Sequence, residues 1–314
     1  MLLTVLRRTA VFVASIVAAS VLVFLFMAVL PGDAAEVSLG TNATPEAVAA
    51  VRAEFGTDRP LPTQYVDWAG GLLTGDFGRS LISRESVTAQ ISDRLQVTMI
   101  LVFAAMVVSL LIALPLGTLA AARHQRGSGL ALSGVSQLGA AVPAFLAGIL
   151  LVALFSVTLG WFPSSGWTAP DDDFVGFLRQ LALPAISLGL VEGAVLTRYV
   201  RSAVLEVLRE DFLRTARAKG LTRSQALVRH GLRNAAIPVV TVLGLQLAAL
   251  LIGAVVIERV YVIPGLGSLL LDGVSSRDLL LVQGVVMVLV VAVLLINYVV
   301  DLLYTVIDPR LRGS

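Results

Sequence analysis

Charged residues are missing from long stretches of this chain and crowd into the segments between them. Six apolar stretches stand out: Thr9 to Leu30, Val97 to Ala122, about Gly134 to Leu159, Leu181 to Val200, Ile237 to Ile257, and Leu279 to Val300. Crossing a bilayer takes about 20 apolar residues at about 1.5 Å rise each. The pattern therefore predicts six transmembrane helices. The fourth stretch is the shortest and carries Glu192, and the third lies in an uncharged region from Gly127 to Pro170 that leaves its ends open. The first follows Arg7 and Arg8 as a secretory leader would. Its apolar run outlasts the ~7–15 residues of such a leader, and no small-x-small cleavage site follows, so a retained helix is expected.

Composition agrees with an all-α polytopic membrane protein. The chain of 314 residues is 57% hydrophobic and 14% charged, against about 45–50% apolar and about 25% charged in soluble domains. The absence of cysteine excludes a disulfide framework, a thiolate metal site and a cysteine nucleophile. The two histidines, His124 and His230, leave no imidazole cluster, so no metal site is expected. Of the 23 Lys and Arg residues, fifteen fall on one side of the six-span arrangement, namely the N-terminus, the loop from Arg123, the segment Arg198 to Arg233, and the C-terminus. Basic residues mark the cytoplasmic side, so both termini are expected inside. The chain then divides into a first transmembrane helix (1–30), an extracytoplasmic segment (31–96), and a five-helix core (97–314) holding a cytoplasmic loop (201–236). Within the outer segment, Thr44-Pro45-Glu46 followed by Ala47, Val48, Val51 and Phe55 predicts a short surface helix. No internal repeat or low-complexity tract is visible.

The cytoplasmic loop carries the most structured signal. Asp211 is placed to cap a helix, Lys219 suits its last turn, and Gly220 suits a left-handed stop. Thr222 with Gln225 forms a capping box for a second helix. Two short helices are thus expected to meet at Gly220, where Ala216, Ala218 and Gly220 keep the corner small. The positive-inside rule alone explains the arginines but not this punctuation. A DNA-binding helix-turn-helix has similar punctuation, yet a few turns tethered between membrane spans cannot lie in a groove, so no nucleic-acid partner is expected. A protein-docking elbow fits best.

Here the sequence resembles a family. Arg214-Thr215-Ala216-x3-Gly220 occupies the place of the Glu-Ala-Ala-x3-Gly loop of ABC-importer permeases. The wider run from Asp211 through Arg229-His230 and Leu232-Arg233-Asn234 to Ile237-Pro238-Val239-Val240-Thr241 is similar to the dipeptide, oligopeptide and nickel branch. Further matches are Leu30-Pro31-Gly32-Asp33, Asp58-Arg59-Pro60-Leu61, Gly75-Asp76-Phe77-Gly78-Arg79-Ser80, Ile263-Pro264-Gly265-Leu266-Gly267, and Asp301-Leu302-Leu303-Tyr304 with Asp308-Pro309-Arg310. Two departures stand beside them: Arg214 replaces the general pattern's glutamate, and the loop's proline comes late, at Pro238.

The resemblance implies a type I importer permease fold in the bacterial plasma membrane. It implies peptide transport and four kinds of partner: a second homologous permease, two ATPase domains, an extracytoplasmic solute-binding protein, and the peptide, with membrane lipid around the spans. It assigns ATPase coupling to Arg214, Thr215, Ala216, Arg217, Ala218, Lys219, Gly220 and Leu221, and binding-protein docking to Pro264, Gly265, Leu266 and Gly267. ATP and magnesium would be held by the ATPase. This chain lacks the Gly-x4-Gly-Lys-Ser/Thr phosphate loop, its single lysine being followed by Gly220-Leu221. The expectation is a transport subunit with no catalytic residues of its own.

Polar residues within spans are costly, and each is a candidate for the translocation pathway. Glu192 reads either as a pathway-lining group or as a carboxyl hydrogen-bonded within the bundle. Gln246 and Asn297 suit interhelical hydrogen bonds. Pro115, Pro143 and Pro184 are expected to break or kink their helices. Asp171-Asp172-Asp173 lacks the alternation and glycine of a calcium loop and reads as a solvated acidic turn. The rival reading is a stand-alone proton-coupled carrier or channel that uses Glu192. An intramembrane enzyme is disfavoured, because no Gly-x-Ser-x-Gly elbow or histidine partner lies in a span.

Overall fold

A computed structural model of the chain describes residues 2–29, 34–40 and 43–307. The motifs Leu30-Pro31-Gly32-Asp33 and Asp308-Pro309-Arg310 lie outside the described residues. Among the described residues thirteen α-helices follow in order: α1 (Leu2–Val29), α2 (Ala34–Leu39), α3 (Pro45–Phe55), α4 (Leu61–Thr74), α5 (Val87–Ala122), α6 (Gly127–Ala141), α7 (Ala144–Leu151), α8 (Phe174–Val207), α9 (Asp211–Ala218), α10 (Arg223–Ala226), α11 (Leu232–Tyr261), α12 (Leu266–Ser276) and α13 (Leu279–Ile307). Two π-helical segments, Val152–Thr158 and Leu227–Gly231, follow α7 and α10. Among the described residues the only extended pairing is an isolated bridge between Arg79 and Ser86.

Five of the six expected spans are single helices long and apolar enough to cross a membrane, in α1, α5, α8, α11 and α13. The third is not. Its path turns by 96° between Gly127–Ala141 and Ala144–Thr158. Val142 takes an extended conformation (φ −80°, ψ 124°) immediately before Pro143, as the proline ring demands of its predecessor. Pro115 and Pro184 do not break their helices, since α5 and α8 run unbroken through them. Neighbouring helices resatisfy the backbone groups that such prolines release inside a membrane bundle.

The chain forms two compact units. The first comprises the residues up to Thr98 together with Pro264–Tyr298. Thr44 caps α3 as expected, its hydroxyl accepting from Ala47 N–H at 3.2 Å, and Val48 and Val51 are buried with Ala35. Helix α1 packs on α4 through Ser20 and Tyr65, whose hydroxyls lie 2.9 Å apart, and through Phe24 against Tyr65 and Trp68. It meets α13 where Phe12 stacks on Tyr298 at 4.6 Å. A second core joins Val87 and Ile91 of α5 to Leu266 and Leu269 of α12 and to Leu281 and Val285 of α13.

The second unit comprises Met99–Ile263 and the residues from Val299 onward. Asp173 is the N-cap of α8, accepting from Val175 N–H at 3.1 Å. Helices α5 and α8 pack through small residues. A Cβ at Gly189 would lie 2.7 Å from both the Ala105 carbonyl oxygen and Val108 Cβ, and one at Gly193 would lie 3.2 Å from Ser109 Cα. Such spacing lets two backbones approach closely where lipid gives no hydrophobic drive to association. Helices α7, α8 and α11 meet at Tyr261, which is 1% exposed. Its hydroxyl lies 2.8 Å from Ser187 Oγ and donates to the Gly148 carbonyl at 3.1 Å.

Candidate functional site

The elbow begins where α8 ends in a tight turn, with Arg209 N–H donating to the Glu206 carbonyl and Glu210 N–H to that of Val207. Helix α9 has eight residues, well below the ~12–15 at which an isolated helix becomes even marginally stable. Packing therefore has to hold it. Leu213 is 3% exposed and sits in a cluster with Val204, Val207, Ala226 and Leu227, and Ala216 packs partly against the same cluster. These two residues are three apart and share one face. The N-cap is Glu210 rather than the expected Asp211, and it makes no side-chain cap bond. Asp211 occupies the first helical position, where its carboxylate accepts from Arg214 at 3.3 Å.

Helix α9 stops through backbone geometry. Gly220 has φ +93°. Its N–H donates to the Arg217 carbonyl at 3.0 Å, and Leu221 N–H donates to that of Ala216 at 3.3 Å. This pair of bonds is the Schellman termination, which needs a left-handed residue at the glycine position. The capping box is also present: Gln225 N–H donates to Thr222 Oγ1 at 3.2 Å and Thr222 N–H to Gln225 Oε1 at 3.0 Å. The expected second short helix is instead the start of a long one, because α10 passes through the π-helical turn directly into α11. The corner is close-packed, since a Cβ at Gly231 would lie 2.8 Å from Leu227 Cδ1 and 3.3 Å from Val207 Cγ1.

With Leu213 and Ala216 turned inward, α9 presents Arg214, Thr215, Arg217, Ala218 and Lys219 outward, and Gly220 is exposed beside them. Leu221 is half-buried against the core cluster. The elbow is thus a basic, small-residue surface on an apolar anchor. Leu213 was not among the candidates read from the sequence. Its signal is its position three residues before Ala216 on a helix otherwise rich in polar groups.

The intramembrane candidates sit differently from expectation. Glu192 is half-buried on α8 and makes no hydrogen bond or ion pair among the described residues, so the hydrogen-bonded alternative is not what the structure holds. Gln246 is 4% exposed and its Oε1 has no hydrogen-bond partner among the described residues. Asn297, in the first unit, is half-buried on α13. No group of three or more His, Asp or Glu side chains among the described residues could hold a metal.

Pro264 to Gly267 were assigned to binding-protein docking by the resemblance. Gly265, Leu266 and Gly267 are buried and Pro264 is half-buried. Leu266 N–H donates to Thr98 Oγ1 at 2.8 Å, and its side chain is fully enclosed in the core of the first unit. A partner could reach Pro264 but not the Leu266 side chain. The first unit also holds a cavity of about 870 Å³. Phe24, Met27 and Leu279 line its apolar part, and the ion pairs Arg59–Asp67 (2.6 Å) and Arg84–Glu54 (2.9 Å) line its polar part. Beside it, the Gly75–Ser80 motif forms a connector in which Asp76 Oδ1 accepts from Gly78 N–H. There Ser80 Oγ donates to Asp278, a carboxylate that also accepts from Leu81 and Leu281 N–H.

Comparison with known proteins agrees with this architecture. Residues 113–313 match the model of the binding-protein-dependent transport system inner membrane component, and residues 1–102 match its N-terminal companion. A protein of Brucella abortus (strain 2308), named as a candidate peptide transport system permease, is 40% identical over 308 residues, 98% of each chain. The glutathione transport system permease of Salmonella typhimurium is 40% identical over 317 residues, 99% of each chain. A binding-protein-dependent system supplies no support for the stand-alone carrier. The chain belongs to the family of binding-protein-dependent transport system inner membrane components, and it is a multi-pass membrane permease.

Proposed function

We propose that this permease imports peptides, glutathione-like tripeptides among them, and that the elbow from Arg214 to Leu221 is the surface onto which a separate ATPase chain docks. The observation carrying the proposal is the elbow's construction: a helix too short to stand alone is pinned from beneath by Leu213, so that its outer face is free, basic and sterically open. Arg217 and Lys219 offer cations to carboxylates of a partner, and Ala218 and Gly220 allow a close approach. In this reading the elbow faces the cytoplasm with both termini, ATP and magnesium belong to the ATPase, and a second permease and an extracytoplasmic binding protein complete the importer. Closure of the ATPases pushes the elbow, the spans open the pathway outward to receive peptide, and hydrolysis resets them. Glu192 remains a pathway candidate on the strength of its unpaired carboxylate, while Pro264 marks the reachable edge of a docking platform for the binding protein.

The test is Ala218→Trp. The position is exposed, so the indole is expected to leave folding intact, but it stands where a docked surface would lie. Expected outcomes are loss of ATPase co-purification and of peptide uptake with normal membrane insertion. Retention of both would overturn the docking assignment.

A further inference from the structure

A small cavity of about 140 Å³ lies between α6 and α8 in the second unit, lined by Ser133, Ser136 and Gln137 on one helix and Thr197, Arg198 and Arg201 on the other. The two arginines are three residues apart and share a face. Neither has a carboxylate partner among the described residues, and no acidic side chain lines the cavity. Arg198 lies over the ring of its neighbour Tyr199 at 5.2 Å. Arg201 is half-buried, and its Nε is buried with no hydrogen-bond partner among the described residues. The positive-inside rule accounts for solvated arginines near a membrane boundary. It does not account for a guanidinium drawn into a wedge between two helices with a donor left over, since a buried unpaired donor is costly.

We infer that this wedge binds a phosphate group, with the headgroup of an anionic phospholipid as its source in the membrane. Two guanidiniums supply forked donors that match phosphate oxygens. The Ser133 and Ser136 hydroxyls currently donate to the Gly129 and Leu132 carbonyls, both at 2.9 Å, and hydroxyl protons rotate freely toward a better acceptor. The exposed Gln137 amide adds another donor. Size excludes the transported peptide, because sites for drug-sized ligands run to about 300–1,000 Å³. Arg198 and Arg201 lie in the last third of α8, beyond its most apolar part, where a lipid phosphate meets the protein. Gly139 of α6 approaches Ala194 of α8 closely enough that a Cβ there would lie 3.1 Å from Ala194 Cβ, so a phosphate in the wedge clamps two helices that already touch one turn away. The site is independent of the elbow and of any ATPase.

The experiment uses the full-length chain, purified in detergent and stripped of lipid, with native mass spectrometry after addition of dioleoyl phosphatidylglycerol or dioleoyl phosphatidylcholine. A calorimetric titration with inorganic phosphate runs beside it. Phosphatidylglycerol is expected to be retained about tenfold or more over phosphatidylcholine, in keeping with the strength of charge-assisted bonds. Arg201→Lys keeps the charge but loses the fork, and should weaken retention about fivefold or more. Ser136→Ala, which changes no charge, should weaken it by about threefold. Arg209→Lys, outside the cavity, should change nothing. Binding of inorganic phosphate that responds to the same substitutions without lipid retention would assign a soluble phosphate ligand to the same site. Equal retention of the two lipids with no phosphate binding, or equal indifference to Arg201→Lys and Arg209→Lys, would overturn the site.

Discussion

Leu213 concentrates the stability of the elbow in one side chain, and Leu213→Ala tests that directly. Helix α9 has eight residues, no side-chain N-cap and a single fully buried residue. Its intrinsic helical free energy is unfavourable at that length, so its docked state rests on the contact of Leu213 with Val204, Val207, Ala226 and Leu227. Truncation removes three buried carbons. Core Leu→Ala changes cost about 2–5 kcal/mol, with the lower part of that range where the surroundings can collapse. The cluster lies at the end of α8 beside a surface helix, so about 2–3 kcal/mol is expected. At about 1.4 kcal/mol per tenfold, the opened population of the elbow rises roughly 30- to 150-fold. Arg214, Arg217 and Lys219 are exposed trypsin sites held in helical or capped geometry, and cleavage there requires local opening. Where opening is fast relative to cutting, the rate follows the opened population. Tryptic cleavage of the detergent-purified protein at these three positions should therefore accelerate by that factor in Leu213→Ala, with cleavage at Arg126 unchanged as an internal control. Leu213→Met, which conserves volume, should cleave nearly as wild type. An unchanged rate at the elbow, or an equal rise at Arg126, would refute the idea that this side chain pins the helix.

Three further outcomes follow from the packing. Gly189→Ala places a methyl 2.7 Å from the Ala105 carbonyl and should lower stability by about 1–3 kcal/mol through overpacking, whereas Gly134→Ala, which meets open space, should be neutral or slightly stabilising; thermal melting in detergent ranks them. Tyr261→Phe and Ser187→Ala should each cost about 1–3 kcal/mol. Their double variant should cost less than the sum, because each removes the same hydroxyl contact. Asp278→Ala strands three donors and should cost about 3 kcal/mol or more, read as faster proteolysis between Gly75 and Ser86, while Asp278→Asn should lie between it and wild type.

Much of the architecture was legible because its signals are local. The apolar runs located the spans, Thr44 located α3, and Gly220 with Thr222 and Gln225 located the elbow, since left-handed stops and capping boxes involve residues within five positions of one another. What stayed hidden depends on distant partners. All three prolines looked alike in sequence, yet of the three only Pro143 interrupts its helix, because Val142 before it goes extended while Pro115 and Pro184 are held inside continuous helices. Leu266 follows Pro264-Gly265, a pair that marks turns. Its burial requires Val87 and Ile91, from a helix that begins nearly 180 positions earlier. The bond between Ser80 and Asp278 joins residues 198 positions apart, beyond any periodicity. The elbow's second arm misled because a capping box marks where a helix starts and says nothing about where it ends.

That last feature has a mechanical meaning. From Arg223 to Tyr261 the backbone is helical without interruption, through α10, the π turn and α11, a path of about 58 Å at roughly 1.5 Å per residue. At its far end the Tyr261 hydroxyl grips Ser187 on one helix and the Gly148 carbonyl on another. A hinged arm would absorb a small rotation of the elbow within its joint. A continuous helix would instead carry it toward the opposite end, where the two hydrogen bonds of Tyr261 would hold or let go together.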